Sequence, residues 1–459
     1  MRRLVGLLVV AALGIGAATL VEPTPPDEAE FTGVVAPEPS AYARSSVWYC
    51  AWADSGDLRN TDFVLASVPD ANSLISLPSP IPNEEAGQTS LAITGPGSAA
   101  VDIEEVVRLG AAPGFVEFDD GPATASALIT SDFSLAGDHC VVSIDKVWYL
   151  PGGTTREGRA LTLRLFNPFS ELAKATVSGV SEFGLVPLPD LSPVDVPGRS
   201  WRDLELNPSV PFLDDLVLVV STDQGSVVPA LSLVADGGDE ATWPGEGLSA
   251  TWEFPMVSTA GLVPELVIGN PGVAPVTVEI DVFSAKAASP SALVVEVATD
   301  APSRIDLSDI GEGAFGIRVR STGPISAVVV AEDPPPQVIE GEEPEEPLPA
   351  VRLAATTGAR SQASRWLLAG VGTPEDAQST VWILNTNPET VTVTLQPLGA
   401  TSLATDKVQI EPGRMFRYNV DRDIEISGYL VDASLPVTAA WSAQSNRGVV
   451  FVSGVAVGE

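Results

Sequence analysis

The stretch Val381-Trp382-Ile383-Leu384-Asn385-Thr386-Asn387-Pro388-Glu389-Thr390-Val391-Thr392-Val393-Thr394-Leu395 decides how this chain reads. Two runs of β-branched and aromatic residues flank a short polar turn. The second run alternates apolar and hydroxyl side chains, which is the period of a strand with one buried face. Asn before Pro is driven out of the helical region and opens a turn, so a hairpin across Asn387-Pro388 is expected. The phrase recurs. Leu161-Thr162-Leu163-Arg164-Leu165 leads to Asn167-Pro168, and Asn270-Pro271 leads to Val276-Thr277-Val278-Glu279-Ile280.

Outward from these turns, each copy opens on a tryptophan. Trp48, Trp148, Trp252 and Trp366 stand in the phrases Val47-Trp48-Tyr49-Cys50, Val147-Trp148-Tyr149-Leu150, Thr251-Trp252-Glu253-Phe254 and Arg365-Trp366-Leu367-Leu368. Such a recurrence at about 100 residues marks an internal repeat. Later in each copy a Pro turn starts another strand: Pro113-Gly114, Pro197-Gly198-Arg199, Pro302-Ser303-Arg304 and Pro412-Gly413-Arg414. Each unit thus offers about seven short strands with turn signals every 8–12 residues, the spacing of an antiparallel sandwich. The expected fold is all-β: tandem immunoglobulin-like β-sandwich units after an N-terminal hydrophobic helix. The units fall at 45–146, 147–249, 250–357 and 358–459. The first is divergent and lacks Asn-Pro; the third carries an acidic, Pro-rich loop at 334–349. A unit of about 100 residues can fold alone, so a string of sandwiches is expected rather than a closed propeller.

The chain has 459 residues, 60 acidic against 24 basic side chains, and a formal charge of −36. That charge opposes a phosphate backbone and an anionic membrane surface, so no nucleic acid is expected as a partner. With 45% apolar and 18% charged residues the chain is globular rather than a disordered acidic tail. Residues 1–21 read Met1-Arg2-Arg3 followed by an apolar run from Leu4 to Val21, either a cleaved signal peptide or an uncleaved N-terminal membrane anchor. In both cases everything after Val21 lies outside the cytoplasm. Membrane contact is expected only through residues 4–21, if uncleaved. Residues 22–44 form a Pro-rich acidic linker.

An exported chain meets an oxidising milieu, so Cys50 and Cys140, both in the first unit, are expected to be disulfide-bonded. A catalytic Cys140 with His139 is rejected, because neighbouring strand residues point to opposite faces. His139 is the single histidine, which leaves no His-ligated metal cluster and little choice of triad base. Gly311-Glu312-Gly313-Ala314-Phe315-Gly316 spells a dinucleotide fingerprint, but a strand-like run follows it and its Glu would repel a pyrophosphate. It is read as a turn. Asp119-Asp120, Asp214-Asp215 and Asp421-Arg422-Asp423 could pair for glycan hydrolysis, yet so many scattered acids pair by chance. No catalytic residues, metal or cofactor are expected. Of the nine tryptophans, Trp52, Trp201 and Trp243 lie near turn-like sequence and are the candidates for exposed, ligand-stacking rings; Trp382 and Trp441 could face either way.

The Arg-Arg-apolar start, the Pro-acidic linker and the recurrent Trp, Asn-Pro, Pro-Gly-Arg and Val-x-x-x-x-Pro-Val phrases, the last seen at Val431–Val437, together resemble an uncharacterised family of exported actinobacterial proteins with a domain of unknown function. The resemblance implies an extracytoplasmic envelope location and no established activity, and it carries over no catalytic residue. The function expected is a non-catalytic cell-envelope protein that is structural or binds a partner, either an envelope protein or a glycan. Carbohydrate binding is the alternative, and a carboxylate-based glycan-processing enzyme stands behind it.

Overall fold

The computed structural model describes residues 46–457 apart from 56–58, 79–86, 107–109, 112, 258–260, 312, 335–350, 374–375, 400–403 and 422–425. The expected leader at 1–21 and linker at 22–44 lie outside the described residues, as does nearly all of the acidic loop expected at 334–349. The protein is all-β, built of several antiparallel sheets. The helical pieces among the described residues are two 3-10 turns, Ile103–Glu105 and Pro189–Leu191.

Apart from a two-stranded ribbon of Asp54–Ser55 with Gly110–Ala111, the strands fall into four pairs of sheets in chain order. In the second pair, one sheet runs Val147–Gly153, Leu216–Gln224, Ala173–Ser181, Gly184–Val186. The other runs Ser200–Glu205, Arg159–Asn167, Val228–Ala235, Glu240–Pro244. The first pair repeats this order with Ser46–Cys50, Gly114–Phe118, Ala71–Leu77, Gly87–Ile93 and with Gly97–Asp102, Arg59–Ser67, Ala123–Ser131, Leu135–His139. In the third and fourth pairs a single long strand, Phe315–Glu332 or Gly428–Gln444, contributes its first half to one sheet and its second half to the other. Each opening strand pairs with the strand that precedes this crossing, as in Trp148 opposite Val220. An immunoglobulin domain places its first strand in the opposite sheet. Here the first and seventh strands have exchanged sheets.

Four buried tryptophans open the pairs, and their indoles lie in or against the cores. The Trp252 and Trp366 N–H groups donate to the carbonyls of Ile325 and Val437, at corresponding points of the two long strands. A buried asparagine closes each later pair at the end of its second strand. Asn167 donates to the Glu171 and Val196 carbonyls, and its Oδ1 accepts from the Phe169 N–H. Asn270 does the same with Ala274, Val297 and Gly272. In the fourth pair this role belongs to Asn385, which donates to Glu389, Ile410 and Glu411 and accepts from Asn387. The hairpin expected across Asn387-Pro388 is not formed: Gln378–Asn385 pairs with Arg414–Asn419 and the second half of Gly428–Gln444, whereas Val391–Leu398 pairs with Asp406–Ile410 and the first half, so the turn crosses from one sheet to the other, and the strand ends at Asn385, two residues before Asn387. Asn385→Ala strands three carbonyls, so a urea melt should show a loss of about 2–3 kcal/mol, against less than about 1 for Asn387→Ala.

The four pairs do not form an open string. Their last strands, Leu135–His139, Glu240–Pro244, Leu353–Thr357 and Val449–Ser453, touch in a cycle: first with second, second with third, third with fourth, fourth with first. The second sheet of each pair lays its outer face on the opening segment of the pair before it. Arg164 covers Trp52 and donates to the Ala53 carbonyl. Val328 and Val330 close over Gly152. Trp382 and Phe451 cluster with Met256. Leu128, from the first pair, meets Gly370 of the fourth, which closes the ring. The physical reason lies in the second-sheet strands. Ala173–Ser181 in a first sheet alternates buried and open positions, whereas Gln378–Asn385 and Val449–Ser453 are buried on both faces. A two-faced apolar strand needs cover on both sides, and its inner edge needs a neighbour.

Candidate interaction face

Cys50 and Cys140 are joined by a disulfide in the first pair, and both are buried. Of the three indoles expected as open platforms, two are closed. Trp52 is 7% exposed beneath the Arg164 guanidinium, 4.1 Å from its ring centroid. Trp243 is fully buried, its N–H donating to the Pro151 carbonyl at 3.0 Å. Their turn-like sequence context conceals that ring closure lays a neighbouring pair over each of them. Trp201, on the edge strand Ser200–Glu205, remains half-buried against the core. Trp382 and Trp441 are fully buried. Gly311 and Gly313 lie in a turn that runs into the strand Phe315–Glu332, with no helix after it.

Several perturbed titratable groups sit at junctions between pairs. His139 lies 3.2 Å from Asp138 and 3.5 Å from Glu246, and Arg360 approaches Glu246 at 3.3 Å. Burial alone would lower the imidazolium, but the two carboxylates outweigh it and push His139 up to about 10. His139 is therefore a cation that ties together the connections between pairs. Glu253 is buried against Gln362, Thr386 and Thr438, which ties the third pair to the fourth. Asp239 accepts from the backbone N–H groups of Leu353 and Glu240 at 2.8 and 2.9 Å and also from Leu135. Its carboxylate abuts Gly448, where a Cβ would stand 2.8 Å from Oδ1. All four pairs meet at this one side chain. Among the described residues no group of three or more His, Cys, Asp and Glu could hold a metal ion, and no helix is long and apolar enough to cross a membrane.

The open apolar surface lies elsewhere, on the second pair. Phe183 and Leu185 flank the turn after strand Ala173–Ser181 and are each 82% exposed; Phe212 is 74% exposed. Glu182 ties these turns together, its carboxylate accepting from the Asp214 and Asp215 N–H groups. Phe212 has φ 61°, the left-handed region that a bulky side chain enters only when held. The hold is explicit. Phe212 N–H donates to the Thr155 carbonyl, Leu213 N–H donates to Thr155 Oγ1, and Thr154 Oγ1 donates to the Leu213 carbonyl. These hydrogen bonds to Thr154 and Thr155 hold the left-handed backbone in place while the Phe212 ring stands in solvent. Beside it, Arg304 of the third pair bonds Asp215, Glu265 and the Asp214 carbonyl. The boundary between the two pairs holds a shallow recess of about 30 Å³, open to solvent and lined chiefly by apolar atoms of Tyr149, Val180, Val217, Val219, Pro271 and Pro302. None of the face was foreseen. Its signal was an exposed Phe-Gly-Leu at a hairpin tip, where polar residues are the rule.

A family of unknown function, DUF5719, matches residues 130–335, a span that contains the second pair, most of the third, and the face between them. No curated protein matches the chain. Among solved structures, a tetra-tandem repeat in the extending region of a large adhesion protein is 12% identical, over 85% of this chain and 93% of that one, with a TM-score of 0.11. A glycoside hydrolase family 32 structure from Bifidobacterium adolescentis is 8% identical, over 90% and 96%, with a TM-score of 0.13. Neither score reaches a shared fold.

Proposed function

We propose that the chain is a non-catalytic extracytoplasmic protein of the cell envelope, built of four tandem immunoglobulin-like sandwiches, that holds a protein partner on the face of the second. The observation that carries this reading is Phe212, an exposed aromatic ring kept in left-handed backbone beside exposed Phe183 and Leu185. Exposed apolar clusters on a folded chain mark contact sites, and aromatic side chains dominate binding energy there. The disulfide and the apolar N-terminal run support location outside the cytoplasm. The non-catalytic part draws support from the buried ionisable groups: His139, Glu253 and Asp239 are committed to bonds between sheet pairs.

The test is a double variant, Phe183→Ser with Phe212→Gly. Relief of the left-handed backbone gains about 1–2 kcal/mol and the added freedom of glycine costs about 0.5–1, so the melting midpoint should hold or rise slightly. Partner captured after cross-linking on intact cells should fall at least tenfold, while Phe133→Ser, an exposed aromatic on the first pair, leaves capture unchanged. Equal capture by the double variant and the parent would refute the reading.

A further inference from the structure

The ring is pseudo-fourfold, so each boundary between pairs can be compared with the next position by position. At the boundary of the first and second pairs, Tyr49 follows the opening tryptophan, and its backbone bridges Val141. Its strand partner is Phe115. The second residue after the clamp Asn167 is Phe169. The three rings fill the boundary, with Tyr49 6.5 Å from Phe115 and 6.1 Å from Phe169 between centroids. One step around the ring, Tyr149 follows its tryptophan and bridges Glu246. Its strand partner is Val219, and the second residue after the clamp Asn270 is Gly272. Two aromatic rings of the first boundary are thus a valine and a glycine at the second, and the recess is found at this boundary. At the third, Glu253 replaces the tyrosine, and Thr386, Gln362 and Thr438 fill in around it.

We propose that this recess is a slot for an aromatic side chain of the partner, presented on a segment that carries Lys or Arg beside it. The proposal rests on the partner-binding reading and narrows it. The apolar lining and the missing rings call for an aromatic group. The acids beside it call for positive charge: Asp300 stands between the lining residues Thr299 and Ala301, and Asp215 and Glu265 already pair Arg304, two residues past the lining Pro302. An aromatic anchor in an apolar pocket with a complementary charged rim is the arrangement that gives an interface both affinity and register.

The probe is the peptide acetyl-Gly-Arg-Phe-Lys-Gly-amide, titrated into the full chain by calorimetry, with Phe→Ala and Arg/Lys→Glu peptides as controls. The parent peptide should bind at least tenfold tighter than either control. Gly272→Phe rebuilds the ring that Phe169 supplies one boundary earlier, and Val219→Phe rebuilds that of Phe115. Each should weaken the peptide at least tenfold with an unchanged or raised melting midpoint. Should Gly272→Phe fail to fold, Val219→Phe carries the test. No binding of the parent peptide at millimolar concentration, or undiminished binding by a folded plug variant, overturns the slot. That failure is separable from the partner reading: capture lost in the Phe183/Phe212 variant without peptide binding keeps the face and removes the slot.

Discussion

Asp239→Ala should cost about 3–5 kcal/mol and lower the whole unfolding transition, although Asp239 sits in a hairpin that reads locally as Gly-Gly-Asp. Its carboxylate accepts the N–H groups of Leu353 and Leu135, from the third and first pairs, at a point where Gly448 of the fourth closes in. Each buried donor left without an acceptor costs about 1–3 kcal/mol, and the Glu240 N–H keeps a second acceptor in Ser134 Oγ at 3.1 Å. Burial pushes Asp239 up to about 7, against the opposing pull of those N–H groups. The native state therefore holds this proton more tightly than the unfolded chain does. The linked stability is present in full below the unfolded value of about 4 and is lost as pH rises through 7. Asp138, pushed up to about 6 chiefly by burial, acts in the same direction. The parent should be more stable at pH 5 than at pH 8, measured by thermal melting. In Asp239→Ala that difference should shrink. An unchanged pH profile in the variant would show that Asp239 titrates alike in both states.

Replacing Cys50 and Cys140 together with serine should cost roughly 4–5 kcal/mol by the chain-entropy estimate, since the bridge spans a separation of 90 residues. The bond joins the opening strand of the first pair to the residue after its last strand, and the Tyr49–Val141 backbone bridge lies alongside. The first pair also supplies Leu128, Leu135 and Val64 to the core shared with the fourth. Loss of the bridge should therefore loosen ring closure as well as the first pair. Hydrogen exchange should rise in both 46–139 and 428–453 but not at the boundary of the second and third pairs. A reducing agent should reproduce the effect on the parent and add nothing to the double variant.

The repeated phrases were legible because they are local. Trp at the opening strand, alternation in Val391–Leu398 and a polar turn after the second strand follow from side-chain period and turn chemistry, and each reappears in the structure. Ring closure was written less openly. Phe63-Val64-Leu65-Ala66 and Val449-Val450-Phe451-Val452 are unbroken apolar runs that need cover on both faces, a signal that the alternation of the first sheets obscured. Asn385 and Asn387 are indistinguishable by composition; only their distance from the buried end of the strand separates them. Asp239 and His139 carry no local sign of their roles, because Glu246, Leu353, Leu135 and Gly448, which meet them across the junctions, come from segments more than a hundred residues away. The burial of Trp52 and Trp243 is hidden for the same reason. The recess lined by Val219 and Pro271 becomes visible only when two boundaries are laid over each other.

Closure of the ring buries the junction carboxylates and leaves the face of the second pair open. Ser98 of the first pair and Ser427 of the fourth meet with their hydroxyl oxygens 2.8 Å apart. The direct measurement is disulfide formation in the Ser98→Cys/Ser427→Cys variant under mild oxidation, scored by thiol titration and non-reducing mass analysis of protease digests. A closed ring gives near-complete intramolecular cross-linking in dilute solution. Free thiols, or cross-links only between molecules, would show that the four pairs hang in an open string.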